Sequence, residues 1–237
     1  MSIFNKSLKI NISLIILIIL ISLIILFSIL FSNSDEPKLM SLFGSLVAGL
    51  FVAIIQFIIA LQDYLQVEKL KELKLIKVMY DRYDRNFYSE YITRAKRRIL
   101  IMGVTASRFF NDFADCDPKA IIKSKILLQK LLEDVEVKIL LPNMSYLNNE
   151  NKKNDFNKVK EIIDNIRKQI PQCKIEVKYF EHLPSHSIFI VDDSCIVGPI
   201  FPNLESKNTP SLQLHNSSPM AIQYLKYFDE EWENSNV

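Results

Sequence analysis

The residues whose types and spacing could support chemistry are few in this sequence, which contains only three histidines. His186 precedes Asp193 by seven positions, and the stretch between them is mostly apolar. A histidine side chain can serve as a nucleophile or as a proton donor. Two structural alternatives stand beside that interpretation. In the first, His186 caps a strand or hydrogen-bonds to Asp193. In the second, Asp192 and Asp193 are ordinary turn residues, since aspartate tolerates turn geometry.

The other histidines give weaker signals. His182 and His186 have the spacing of two metal ligands on one helix, but Pro184 lies between them and disfavours a helix, so no metal site is predicted. With four glycines in all, the chain has no glycine-rich phosphate loop and no G-x-S-x-G motif, and no cofactor is predicted. His215 ends a predicted strand. It either faces the same cleft as His186 or lies where the final helix is capped.

The segment from His186 to Asp193 resembles the phospholipase D family motif HxKxxxxD. His186 matches the histidine of the motif and Asp193 matches the aspartate, whereas Ile188 stands at the position of the lysine. Residues 91–104 are similar to the opening helix and strand of that fold. The resemblance covers roughly residues 81–237 and implies a phospholipase D-like α/β domain.

The resemblance also implies a mechanism. In this family a histidine attacks phosphorus, a second histidine protonates the leaving oxygen, and lysines neutralise the phosphoryl oxygens. Isoleucine cannot do this, and losing such a contact typically lowers the rate by ~10²–10³. The family needs two motifs and this chain has one, so an active form would be a homodimer. Its catalytic residues would be His186 and Asp193, and candidate ligand-binding residues are His215, Asn203 and Lys207, the last as a substitute for the missing lysine.

Two uncharged runs precede this region, Ile10–Ser34 and Leu39–Gln62. About 20 apolar residues suffice to cross a bilayer, so residues 1–62 are predicted to form a hairpin with spans at about 10–32 and 39–61. The alternatives are buried helices of a soluble core and, for the first run, a cleaved signal peptide. Lysine and arginine flank the hairpin and are scarce in its loop. This places both termini in the cytosol and the chain in the cell inner membrane as a multi-pass protein.

A linker helix over residues 63–90 is predicted from apolar positions at spacings of three and four, and it pairs with a copy of itself or packs on the domain. Beyond it, residues 91–237 alternate between strand and helix patterns. Helices are predicted over 119–134, 155–170 and 219–235, with strands between them. The fold class is therefore two transmembrane α-helices plus an α/β phospholipase D-like domain with a mixed sheet.

These observations favour a non-enzymatic, membrane-anchored binding or signalling protein, with a degenerate motif and a homo-oligomeric state. Its partners would be the lipid bilayer and a nucleotide or other phosphorylated ligand. Nucleic acid is not expected, because the basic charge is concentrated between Lys69 and Arg98, next to the membrane. The architecture resembles bacterial antiviral effectors that act on the membrane. The alternative is a membrane-tethered dimeric phosphodiesterase that acts on phospholipid or nucleic acid through His186.

Overall fold

The computed structural model of the protein describes residues 2–117, 119–201 and 204–236, and the chain divides into two compact units at Leu70/Lys71. The first unit consists of two long helices, α1 (Ser2–Ser32) and α2 (Pro37–Glu72). Within them, Ile12–Ser32 and Pro37–Glu68 are long and apolar enough to cross a membrane, with mean hydropathies of 3.5 and 2.5. The predicted pair of long apolar N-terminal helices is therefore confirmed.

Gly44 allows α1 and α2 to pack closely. A Cβ atom at Gly44 would lie 3.4 Å from the ring of Phe31, so a larger side chain at this position would press on α1. The rings of Phe27 and Phe43 stack across the two helices, with centroids 6.2 Å apart. Close approach at a glycine is the packing mode that helices use where burial from water gives no driving force.

The prediction of one linker helix over residues 63–90 is corrected by the structure. Helix α2 ends at Glu72, and Lys74 then adopts a positive φ of 48°. The next residues form strand β1 (Leu75–Met79), which pairs antiparallel with strand β7 (Ser211–His215). The apolar spacing fits a helix, but a ladder of backbone hydrogen bonds to β7 decides the conformation.

The second unit is built on a seven-stranded sheet in the order β1-β7-β6-β5-β2-β3-β4. Strands β2, β3 and β4 are parallel, and the other neighbours are antiparallel, so the predicted mixed sheet is confirmed. The remaining strands are β2 (Arg98–Met102), β3 (Glu136–Pro142), β4 (Ile175–Phe180), β5 (His186–Val191) and β6 (Ser194–Pro199). The helices are α3 (Arg85–Thr93), α4 (Ser107–Phe113), α5 (Ile126–Leu132), α6 (Glu150–Gln169) and α7 (Pro219–Asn234).

The predicted helix over residues 119–134 is shorter and broken. A single 3₁₀ turn occupies Ile122–Ser124, and α5 begins only at Ile126, because Lys125 leaves the helical region with φ −108° and ψ 9°. The predicted helix over 155–170 instead begins at Glu150, where the side chain of Asn149 accepts the N–H of Asn151. An asparagine cap of this kind fixes a helix start that an apolar pattern does not reveal.

The two faces of the sheet are covered unequally. Helices α3, α4, α5 and α6 pack on one face, against side chains such as Ile99 and Ile139. Among the described helices of this unit, α7 alone packs on the other face, where Phe228 and Trp232 contact a cluster that includes Ile188. Because strand side chains alternate between faces, neighbouring residues of β5 belong to different layers of the domain.

The β5–β6 turn is tied to the start of β2 by one carboxylate. Asp192 accepts the backbone N–H groups of Lys96, Arg97 and Arg98 at 2.7, 2.9 and 3.0 Å. Burial alone would raise the pKa of Asp192, but these donors, led by that of Arg98, outweigh it and hold the pKa below its usual value. The charged form of Asp192 therefore stabilises the folded state.

Replacing Asp192 by asparagine should lower the free energy of unfolding by about 1–3 kcal/mol at neutral pH, the typical loss for hydrogen bonds to a charged group. Asparagine tolerates the positive φ of 47° at this position, so the substitution isolates the charge. The stabilisation is present above the pKa of an unfolded aspartate, about 3.9, and is lost as pH falls through the lower pKa of the folded state. Urea unfolding of the full chain in a nonionic detergent, at pH 7 and at acidic pH, measures both effects.

Asp193→Asn is the matched control, because its exposed carboxylate pairs only with the exposed Arg97 side chain in the described structure. A surface pair contributes about 0–1 kcal/mol. Equal losses for the two variants would contradict the anchoring role of Asp192.

Candidate functional site

The candidate site lies where β5 begins, beside the carboxyl end of β2. Ile188 of β5 is in register with Met102, the last residue of β2. His186 and Ser187 start β5 and point to opposite faces, since consecutive strand residues alternate. Ser187 is on the side of α3 and α4, and His186 is on the side of α7. The two faces at this edge are therefore two separate chemical environments.

His186 has few polar neighbours on the α7 side. Its ring meets that of Tyr224 edge-on at 5.4 Å, and its Nδ1 lies 2.8 Å from the hydroxyl of Ser185. Ile188 shares this face and is 1% exposed, within the core formed with α7. An apolar, buried side chain thus occupies the position of the lysine in the resembled motif.

Asp193 and His215 lie at the opposite end of the strands from His186. The five steps of β5 separate His186 from Val191 by about 17 Å, and Asp193 lies beyond that in the turn. His215 pairs in register with Ser194 on the same edge as Asp193, and its Nδ1 lies 2.8 Å from the hydroxyl of Ser217. The structure therefore does not bring His186 together with either residue within one chain.

The two other predicted ligand-binding residues follow β6. Lys207 lies in a 3₁₀ turn, Ser206–Asn208, and forms an ion pair with Glu205 at 2.6 Å. Its backbone carbonyl accepts the N–H of Arg82 at 2.7 Å. Asn203 is outside the described residues. Of the four predicted site residues that the structure describes, Lys207 lines a cavity.

That cavity has a volume of about 760 Å³ and lies on the α3 and α4 side of the sheet edge. Arg82 is in its wall, although only 9% of this residue is exposed. The guanidinium donates to the hydroxyls of Ser187 and Thr209 and, at 3.2 Å, to the carbonyl of Pro199. Arg82 thereby connects the ends of β5, β6 and β7 at the cavity.

Arg108 forms a second basic part of the wall. It donates to the backbone carbonyls of Arg82 and Tyr83 at 2.6 and 2.7 Å, and its Nε lies 3.4 Å from a carboxylate oxygen of Asp112. Tyr88 lies close to both guanidinium groups. Burial raises the pKa of Tyr88 to about 12, although both arginines oppose this shift. Tyr88 therefore stays a neutral hydroxyl at physiological pH.

The loop after β2 completes the wall and holds a backbone conformation that is unfavourable for its residue type. Ala106, which precedes α4, has a φ of 52°. The left-handed region destabilises a non-glycine residue by roughly 1–2 kcal/mol. Strain of this kind persists where the surrounding structure fixes it, and it is frequent at binding sites.

Sequence reasoning missed Arg82 and Arg108 as site residues. Arg82 lies in a charged stretch, Asp81–Arg85, whose composition predicts a solvated surface. Its burial results from contacts with Ser187, Pro199 and Thr209, all more than 100 positions away in the sequence. No local pattern carries that information.

The chain is similar to several solved structures at low sequence identity. The sequence matches no protein-family model, and no curated protein is detectably similar to it. Solved structures similar to this chain include Nuc from Salmonella typhimurium, a phospholipase D family member, at 18% identity and a TM-score of 0.45 over 68% of this chain and 95% of that chain. NucT from Helicobacter pylori is similar at 12% identity and a TM-score of 0.41, over 67% and 96%.

TrmBL2, an archaeal chromatin protein described with a novel mode of DNA binding, is similar at 14% identity and a TM-score of 0.44, over 80% of this chain and 70% of that chain. A phospholipase D family member is thus among the solved structures similar to this chain, as the sequence resemblance predicts. At these identities the likeness assigns no activity and no ligand to this chain.

Replacing Gly198 by alanine should destabilise the strands that surround Arg82. A Cβ at Gly198 would lie 2.5 Å from the carbonyl oxygen of Pro210 and 3.1 Å from the Cβ of Ser211, so β7 must shift. We expect a loss of about 1–3 kcal/mol in the free energy of unfolding, as for other overpacked sites. Gly103→Ala is the matched control, because its Cβ would meet no atom within 4 Å. Denaturant unfolding of both variants checks this, and equal losses would show that close approach at Gly198 does not matter.

Proposed function

We propose that this protein is a membrane-anchored binding and signalling protein whose second unit recognises a ligand without hydrolysing it. Helices α1 and α2 anchor it in the cell inner membrane, with both termini in the cytosol. Two unburied apolar helices with no charged residue in Ile12–Ser32 support the anchor. The cluster of lysine and arginine after α2 supports the orientation, because such clusters remain on the cytosolic side.

The observation that carries the non-catalytic proposal is the isolation of His186. Phosphoryl transfer by a histidine needs cations at the phosphoryl oxygens and a proton donor at the leaving oxygen. On the face of His186, Ile188 is buried in the core. Asp193 and His215 lie at the opposite end of the strands. The basic residues Arg82 and Arg108 line a cavity on the other face.

A phosphodiesterase assay on the full chain in detergent micelles tests this proposal. We expect no hydrolysis of bis-p-nitrophenyl phosphate, phospholipid or DNA above that of the buffer, and no change in the His186→Ala variant. Activity that is abolished by His186→Ala would overturn the proposal and establish the membrane-tethered dimeric phosphodiesterase instead. Asp193→Asn serves as a second variant, because Asp193 is the other residue of this chain that matches the motif.

We further propose that ligand recognition by the second unit acts on the bilayer through the two helices, as in a bacterial antiviral effector of the membrane. The anchor and the ligand domain are separate compact units of one chain, which suits a receptor joined to a membrane output. The signal would pass through homo-oligomers in the membrane.

Overproduction in a bacterial host tests this output. We expect the full chain to slow growth and to depolarise the membrane, as measured with a potential-sensitive dye. A chain that lacks residues 1–62, produced at the same level, should do neither. Normal growth with the full chain, or equal toxicity without the helices, would contradict the effector proposal.

A further inference from the structure

Arg82 carries a buried positive charge that no carboxylate neutralises in the described part of the chain. Its hydrogen-bond partners are the neutral oxygens of Ser187, Thr209 and Pro199, and its Nε has no partner. A buried charge is strongly unfavourable unless an opposite charge pairs with it. Burial lowers the pKa of Arg82 from its usual value, and Tyr88 opposes this while Arg108 adds to it. The folded protein thus holds a buried cation whose hydrogen-bond partners in the described structure are all neutral.

The acids around the cavity do not supply that anion. Asp112 pairs with Arg85 and Arg108, and Glu205 pairs with Lys207. Lys152 and Asp155, both from α6, line the cavity as one base and one acid. Apart from Arg82, the wall has three acidic and three basic residues: Asp112, Asp155 and Glu205, and Arg108, Lys152 and Lys207. Arg82 is therefore the excess cation.

The apolar part of the cavity wall indicates the kind of molecule that carries the anionic group. Phe109 and Phe189 line the interior, with ring centroids 5.6 Å apart. Phe201 and Leu204 also line the cavity and are 42% and 52% exposed. A volume of about 760 Å³ lies within the usual range for small-molecule sites and is far larger than one phosphate ion needs.

We propose that this cavity binds a small organic phosphate, with the phosphate group held by the guanidinium of Arg82 and the apolar or aromatic remainder against Phe109 and Phe201. Arginine suits this role because its guanidinium has five N–H donors in one plane. Three of them donate to Ser187, Thr209 and Pro199, and the other two have no partner in the described structure and can donate to the oxygens of a phosphate. Hydroxyls of Ser187 and Thr209 lie beside the guanidinium and complete the polar side of the site. The inference rests on the proposed function as a ligand-binding domain and names the chemistry of its ligand.

Isothermal titration calorimetry of the full chain, in dodecyl maltoside micelles that contain no phosphate, tests the inference. The probes are phenyl phosphate, inorganic phosphate and phenol. We expect phenyl phosphate to bind more tightly than either of the other two probes. Arg82→Met should weaken phenyl phosphate binding about 10- to 100-fold, the loss typical of a charge-assisted hydrogen-bonded contact.

Two further variants keep the result interpretable. Arg94→Met is the matched control, because the side chain of Arg94 is 77% exposed and pairs with Glu90 on α3, and it should bind as the wild type does. Arg82→Lys keeps the charge but loses the planar fork, so binding should weaken less than in Arg82→Met. The melting temperature of each variant without ligand shows whether it is folded, because Arg82→Met removes both a buried charge and the hydrogen bonds to Ser187, Thr209 and Pro199.

Three results would overturn the inference. They are absence of binding by phenyl phosphate, binding that Arg82→Met leaves unchanged, and equal affinities for phenyl phosphate and inorganic phosphate. Hydrolysis that depends on His186 would instead overturn the proposed function and leave the assignment of the Arg82 cavity in place, because the two residues lie on opposite faces.

Discussion

Side chains alternate between the two faces of β5, and this alternation separates the two groups that could act on a phosphate. His186 belongs to the face that α7 covers, and Ser187 belongs to the face that α3 and α4 cover. The hydrogen bond from Arg82 to Ser187 fixes the basic cavity on the second face. A shift of one residue in the register of β5 would exchange the two faces. The register is set by its pairing with β2 and β6 and by the Asp192 anchor at the far end of the hairpin.

Burial of Arg82 then determines the character of the cavity. A guanidinium that gives up water and gains only neutral acceptors keeps part of the unfavourable free energy of burying a charge. The surrounding contacts still hold it there, because its backbone N–H donates to the carbonyl of Lys207 and its carbonyl accepts from Arg108. A free energy of this kind is recovered when an anion binds, so the same burial that weakens the empty domain strengthens its complex.

Much of the fold was predictable from patterns that act locally. Long uncharged runs identified α1 and α2, period-two alternation identified β4, and the turn at Asp192 and Asp193 identified β5 and β6 as paired strands. The linker was not predictable in this way, since Ile76 and Tyr80 fit a helical spacing as well as a strand and only pairing with β7 decides between them. The site was harder still. Lys207 was found by its charge near the motif, whereas Arg82 needed contacts that join residues 82, 187 and 209.

The groups suited to bind a phosphate and the histidine that could attack it lie on different faces at the start of β5. Binding a phosphate needs a desolvated cation and neutral donors, and one face supplies them in Arg82, Ser187 and Thr209. Transfer of a phosphoryl group additionally needs a nucleophile within reach of that same cation. His186 is one residue from Ser187 in sequence, yet its side chain is on the opposite face of β5 from the hydroxyl that Arg82 contacts. Within a single chain, this separation supports the proposed binding role over phosphoryl transfer.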